Sequence, residues 1–120
     1  MIRFALPVQT FEGLSSKVFE HFGQSESFAI VEIDGDQILS VNVIHIGPSP
    51  DSNEIKPAEF FADHSVNIIL TGNIGPCHTN TLLDRGIRLY SGANGTVKEA
   101  LGKYYSDRLK EVKKSRQAFY

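Results

Sequence analysis

The segment Thr71-Gly72-Asn73-Ile74-Gly75-Pro76-Cys77-His78 concentrates the residue types in this chain that could do chemistry. The β-branched run Val66 to Leu70 leads through its glycines toward a helical stretch at Leu82 and Leu83, which sets them at a strand-to-helix turn. Glycine lets backbone approach a ligand closely, and the N–H groups of a helix's first turn, with its dipole, favour an anion. A thiol in that turn has its thiolate stabilised by the same field, and the imidazole of His78 adds a second metal-binding donor. Neighbouring residues on a helix point about 100° apart, so Cys77 and His78 cannot easily grip one ion. A lone cysteine also serves as a small buried hydrophobe.

Two further segments carry related chemistry. His21-Phe22-Gly23 closes a long polar loop, and its imidazole is a candidate metal ligand as well as ordinary polar surface. Gly92-Ala93-Asn94-Gly95 could offer backbone N–H groups to the same anion, although a plain turn explains it equally well. His45 and His64 have no comparable placement and read as structural. Several active sites are excluded. Ile2 to Val8 holds none of the carboxylates that a two-metal nuclease needs on its central strand. No Gly-Lys-Ser/Thr phosphate loop occurs, Gly72-Asn73-Ile74-Gly75 lacks the third glycine of a dinucleotide fingerprint, and there is no Gly-x-Ser-x-Gly elbow.

The elements that must position these residues follow from periodicity and turn chemistry. Ile2 to Val8 reads as a buried first strand, Gln9 to Glu26 as a loop with one helical turn through Ser16–Phe19, and Phe28 to Ile33 as a strand. Asp34-Gly35-Asp36 turns the chain into a hairpin partner, Ile38 to Ile46. Gly47 to Asn53 is turn-rich and precedes a helix with Ile55, Ala58, Phe61 and Ala62 at helical spacing. Gly86 is placed to cap the helix after Val66–Leu70, and Ile87 to Tyr90 is the last strand. Thr96 with Glu99 forms a capping box for a final helix whose face is Leu101, Tyr105, Leu109 and Val112. The expected fold is α/β: a mixed sheet of about five strands, the second antiparallel, with helices on both faces. With the first, fourth and fifth strands parallel, the loops at Gln9–Gly23, Gly72–Pro76 and Ser91–Gly95 meet at the carboxyl edge, where open α/β sheets bind ligands.

A chain of 120 residues supports one such core, so residues 1–120 are expected to be a single domain. The single cysteine precludes an internal disulfide and a self-contained multi-cysteine zinc site, and it suits a reducing, cytoplasmic setting. No apolar stretch reaches the ~20 residues that cross a bilayer, and the first residues do not read as a signal peptide. Residues 103–120 carry six Lys/Arg against Asp107 and Glu111, whereas the rest carries six against twelve acids. The basic tail from about residue 103 reads as a solvated helix face, without the aromatic-interleaved groove of a nucleic-acid binder.

Taken in order, several motifs resemble the dinitrogenase iron-molybdenum cofactor biosynthesis family, the small domain of NifX-like and NafY-like carriers and of the C-terminus of NifB-like proteins. They are His21-Phe22-Gly23 followed by Ser27-Phe28, Gly72-Asn73-Ile74-Gly75, Arg85-Gly86-Ile87, and Gly95-Thr96-Val97-Lys98-Glu99-Ala100-Leu101. The resemblance implies a three-layer ribonuclease-H-like fold, with His21 and the Gly72–Gly75 loop in a cleft for an anionic metal-sulfur cluster. It departs from a common family pattern at Pro76-Cys77-His78, where many relatives carry small residues. The expectation is a non-enzymatic carrier of an iron-sulfur or molybdenum-containing cluster, monomeric or weakly self-associating, whose partners are cluster donor or acceptor proteins rather than nucleic acid or membrane. Gly72, Asn73, Ile74, Gly75, Gly92, Asn94 and Gly95 would cradle the cluster, and His21, Cys77 or His78 would ligate metal. The alternative is a metal-free interaction or regulatory domain of the same fold; an enzyme using the Cys77 thiolate lacks an evident neighbouring base.

Overall fold

The computed structural model describes residues 1–22, 25–45 and 57–113. Gly23, the Gly47–Asn53 turn region, Ile55 and the tail beyond Lys113 lie outside these residues, as do the side chains of Ala58 and Cys77. Among the described residues, six strands form one sheet in the order β3-β2-β1-β4-β5-β6. These are β1 Ile2–Pro7, β2 Ser27–Asp34, β3 Gln37–His45, β4 Ile68–Leu70, β5 Arg88–Ser91 and β6 Lys110–Val112. Strands β1, β4 and β5 are mutually parallel, and the remaining pairs are antiparallel.

Alternation along the strands divides the core into two layers. Phe4, Leu6, Val31, Ile68 and Leu70 face one side, where α3 (Val97–Tyr105) lays down Val97, Ala100 and Leu101. Ala5, Phe28, Ile69 and Leu89 face the other, against Phe61 of α1 (Pro57–Asp63) and Leu82 of α2 (Pro76–Asp84). Burying each large apolar side chain in this way contributes about 1.5–3 kcal/mol. The result is a three-layer ribonuclease-H-like α/β fold.

Local chemistry sets the helix ends. Thr96 caps α3 by accepting from the Glu99 N–H, while the Glu99 carboxylate accepts from the Thr96 N–H at 2.9 Å, which is the expected capping box. After α2, Gly86 adopts φ +81° and donates to the Leu83 carbonyl, and the Ile87 N–H donates to that of Leu82. These two bonds form a Schellman closure that brings Leu82 and Ile87 into one cluster.

Two expectations are corrected. The sheet has a sixth strand, because the last helix stops at Tyr105 instead of running to Val112. Asp107 takes a left-handed φ of +61°, and the N–H groups of Asp107 and Arg108 close onto the carbonyls of Tyr104 and Lys103. Leu109 then packs on the α3 side and Val112 on the opposite side. A three-residue spacing that would share a helix face thus lies on opposite faces of an extended chain. The helical turn read at Ser16–Phe19 is also displaced. A 3₁₀ turn occupies Gly13–Ser15, and the chain from Ser16 is extended, with Ser16 buried and its Oγ accepting from the Glu12 N–H.

Adding a Cβ at Gly86 meets nothing within 4 Å, so Gly86→Ala isolates the backbone cost of its conformation. Urea unfolding should show a loss of about 1 kcal/mol, and a smaller loss for Gly86→Asn. A second prediction concerns the ion pair of β1 with β2. Hydrogen bonds from Arg3, and then from Ser40, hold the Glu32 carboxyl below its ordinary value of 4.5. A depressed carboxyl pKa stabilises the fold above the unfolded-state value and loses that contribution as pH falls below it. The stability gap between the wild type and Glu32→Gln should therefore be open at neutral pH and close as pH drops below about 4.5.

Candidate ligand site at the carboxyl edge of the parallel strands

The segment after the 3₁₀ turn crosses the carboxyl ends of β1, β4 and β5 and is fixed there by backbone bonds. Phe19 donates its N–H to the Pro7 carbonyl at 2.7 Å, and Val18 donates to that of Gly95 at 2.8 Å. Val97 donates to the Ser16 carbonyl at 2.9 Å. His21 lies in a parallel bridge with Asn73, in which the Asn73 N–H donates to Glu20 at 2.7 Å and the Phe22 N–H donates to Asn73 at 3.1 Å. Two buried side chains anchor the crossing on opposite faces: Val18 in the α3 layer, and Phe22 in the other layer, among Phe28 and Phe61.

The loops after β4 and β5 are joined to each other as well. Gly92 donates to the Gly72 carbonyl at 3.2 Å, and Ala93 donates to that of Thr71 at 3.0 Å. Where the three segments meet lies a depression of about 370 Å³ lined by Val18, Glu20, Gly72, Asn73, Gly92, Ala93 and Asn94. The expected convergence of the Gln9–Gly23, Gly72–Pro76 and Ser91–Gly95 loops at one edge is therefore observed for the described residues.

Of the residues read as a cradle, Gly72, Asn73, Gly92 and Asn94 line this depression. Gly95, at φ +79°, binds Val18 just beyond it, and a Cβ there would strike the capping Glu99 carboxylate. Ile74 packs on the α1/α2 layer, and Gly75 is the exposed N-cap of α2, whose carbonyl accepts from Thr79 Oγ at 2.9 Å. The glycine at position 72 answers to packing: an added Cβ would lie 2.9 Å from the Glu20 carbonyl oxygen. The N–H groups of Asn73 and Gly92 are already spent on carbonyls, so side chains supply much of the depression's polarity.

The three candidate metal ligands are distributed along the same edge. His21 is exposed beside Asn73, its ring edge-on to Phe19 with centroids 6.3 Å apart. His78, in the first turn of α2, is half-buried with its ring edge-on to Phe22 at 5.5 Å. Cys77 precedes it in the same turn. Among the described residues, no three His, Cys, Asp or Glu side chains assemble into a metal cluster site. His45 and His64 are occupied structurally: His45 Nδ1 is 3.0 Å from Ser27 Oγ, and His64 stacks on Phe60.

Two charged residues at the site escaped the sequence reading. Glu20 lines the depression, and its Oε2 accepts from Asn73 Nδ2 at 3.4 Å. Lys103, on α3, donates from Nζ to Asn94 Oδ1. An ammonium can only donate, so this contact assigns the Asn94 oxygen to Lys103 and leaves its amide N–H₂ as the group available for a ligand. Glu20 could have been suspected from its place beside His21. Lys103 carried no local signal, because it reaches the site from a helix face.

The fold and this edge define a three-layer α/β domain with a recess at the carboxyl ends of the parallel strands. The chain belongs to the dinitrogenase iron-molybdenum cofactor family, which matches residues 2–107. It is 25% identical over 113 residues, 92% of each chain, to the uncharacterized protein MJ0580 of Methanocaldococcus jannaschii. Among solved structures it is similar to PH0822, with 28% identity, a TM-score of 0.76, and coverage of 92% of this chain and 96% of that one. The apo form of the orange protein of Desulfovibrio gigas shares the fold at 21% identity and a TM-score of 0.80, with 98% of each chain covered. No described helix is long and apolar enough to cross a membrane.

Gly72→Ala should push the Glu20 segment off the end of β4. The expected result is a loss of about 1–3 kcal/mol of stability together with displaced amide resonances for Glu20, His21 and Asn73. Unchanged resonances at those three positions would contradict the packing role.

Proposed function

We propose that this chain is a non-catalytic carrier for an anionic iron-sulfur or molybdenum-containing cluster, bound at the depression between Glu20, Asn73 and Asn94. The carrying observation is that membership of the iron-molybdenum cofactor family coincides with a formed recess at this edge. Its volume of about 370 Å³ falls within the range of small-ligand sites. The donor set suits a small sulfide-bearing anion: the amides of Asn73 and Asn94 can donate to sulfide, and Lys103 supplies positive charge behind Asn94. Glu20 opposes an anion, and its pairing with Asn73 moderates that effect. In this reading, His21 ligates metal from its position beside Asn73, or Cys77 or His78 does so from the first turn of α2. Gly72–Gly75, Gly92 and Gly95 shape the backbone around the cargo. The partners are the proteins that donate and receive the cluster, and a reducing cytoplasm is the compatible setting.

The test is an anaerobic titration with tetrathiomolybdate, followed by desalting, metal analysis and absorption spectroscopy. Retained molybdenum with a perturbed charge-transfer band is expected. Lys103→Gln should weaken binding roughly three- to tenfold, the scale of one partly exposed charge interaction, and Glu20→Gln should strengthen it by a similar factor. His21→Ala should weaken binding and alter the band. No retained metal would favour the metal-free interaction domain instead.

A further inference from the structure

Among the described residues, the two edges of the sheet are built differently. The β6 edge is three residues long and carries Lys110 and Glu111, the kind of charge that discourages strand addition. The β3 edge is nine residues long, and Gln37-Ile38-Leu39-Ser40-Val41-Asn42-Val43-Ile44-His45 contains no Lys, Arg, Asp, Glu or Pro. Ile38 is 44% exposed and Leu39 is 52% exposed. A single irregularity interrupts the strand: the ladder to β2 shifts between Glu32 and Ile33, leaving Leu39 without a partner there. From Ser40 to His45 the pairing is regular.

We propose that this strand pairs antiparallel with the β3 of a second copy of the chain, about a two-fold axis at Asn42, joining two sheets into one of twelve strands. Antiparallel pairing of identical strands sets residue i against residue j with their sum constant, and the pair shares a face. Centred on Asn42, Val41 meets the second copy's Val43 on the face where both already pack against the α3 layer. This contact occurs twice by symmetry and extends that apolar layer across the junction. On the opposite face the two Asn42 amides meet at the axis, where each can donate to the other's oxygen. Ser40 meets Ile44 at either end. A centre at Val41 would draw the Leu39 irregularity into the ladder, and one at Val43 would set Val41 against His45. The absence of charge along the strand gives no purchase to an acidic or basic peptide and imposes no repulsion between identical copies.

Sedimentation equilibrium of the full chain should show a concentration-dependent species of twice the 13.3 kDa chain mass. Asn42 is exposed, so Asn42→Lys leaves the core intact while placing two ammonium groups face to face, and it should yield monomer only. In a Cys77→Ser background, Asn42→Cys should form a disulfide-linked dimer on mild oxidation. Directly opposed residues have Cα atoms about 4.5–5.5 Å apart, within disulfide reach. Asp36→Cys, in the hairpin turn, should not cross-link. A wild type that stays monomeric up to its solubility limit, a dimer undiminished by Asn42→Lys, or equal cross-linking through Asp36→Cys would each overturn the proposal.

Discussion

The site depends on one constraint: the chain between Ser16 and Phe22 must lie extended across the ends of three parallel strands. Backbone groups hold it at Pro7, Asn73 and Gly95, and the buried Val18 and Phe22 anchor it to opposite core layers. Each bond contributes modestly on its own, about 0.5–1.5 kcal/mol net, but together they satisfy backbone groups that would otherwise be stranded at a sheet end. The geometry tolerates little bulk beneath the crossing. Gly72 passes so close to the Glu20 carbonyl that no side chain fits between them.

Much of this arrangement was legible in the sequence because its signals are local. The β-branched run at Val66–Leu70, Thr96 with Glu99, and Gly86 after Arg85 each predict an element or its end through contacts within a few residues. Parallel order for β1, β4 and β5 then made the meeting of three loops a topological consequence. The misreadings share a cause. Leu109 and Val112 fit a helical period, and the stop before them rests on Asp107 in a conformation usually signalled by glycine. Lys17 and Val18 bridge to Thr96 and Val8, the first of them a partner far away in sequence, which no local pattern announces.

The glycines illustrate the difference between recognising a motif and explaining it. Gly72 and Gly75 look equivalent as a pair flanking Asn73-Ile74. Gly72 is demanded by a neighbouring backbone, whereas a Cβ on Gly75 would meet nothing within 4 Å. Likewise, the N–H groups of Asn73 and Gly92, attractive as anion donors in a sequence, are consumed in stitching the loops together. The polarity offered to a ligand shifts to Glu20, Asn73, Asn94 and, through Asn94, Lys103.

Because main chain and two buried anchors make the crossing, the side chains that look into the depression do little to hold the fold together. Glu20, Asn73 and Asn94 are all exposed. Their identities can change at small cost in stability, as substitutions at surface positions usually do. The same frame can therefore be retuned in charge and donor type without being rebuilt, so that the character of the recess and the integrity of the fold are free to evolve apart.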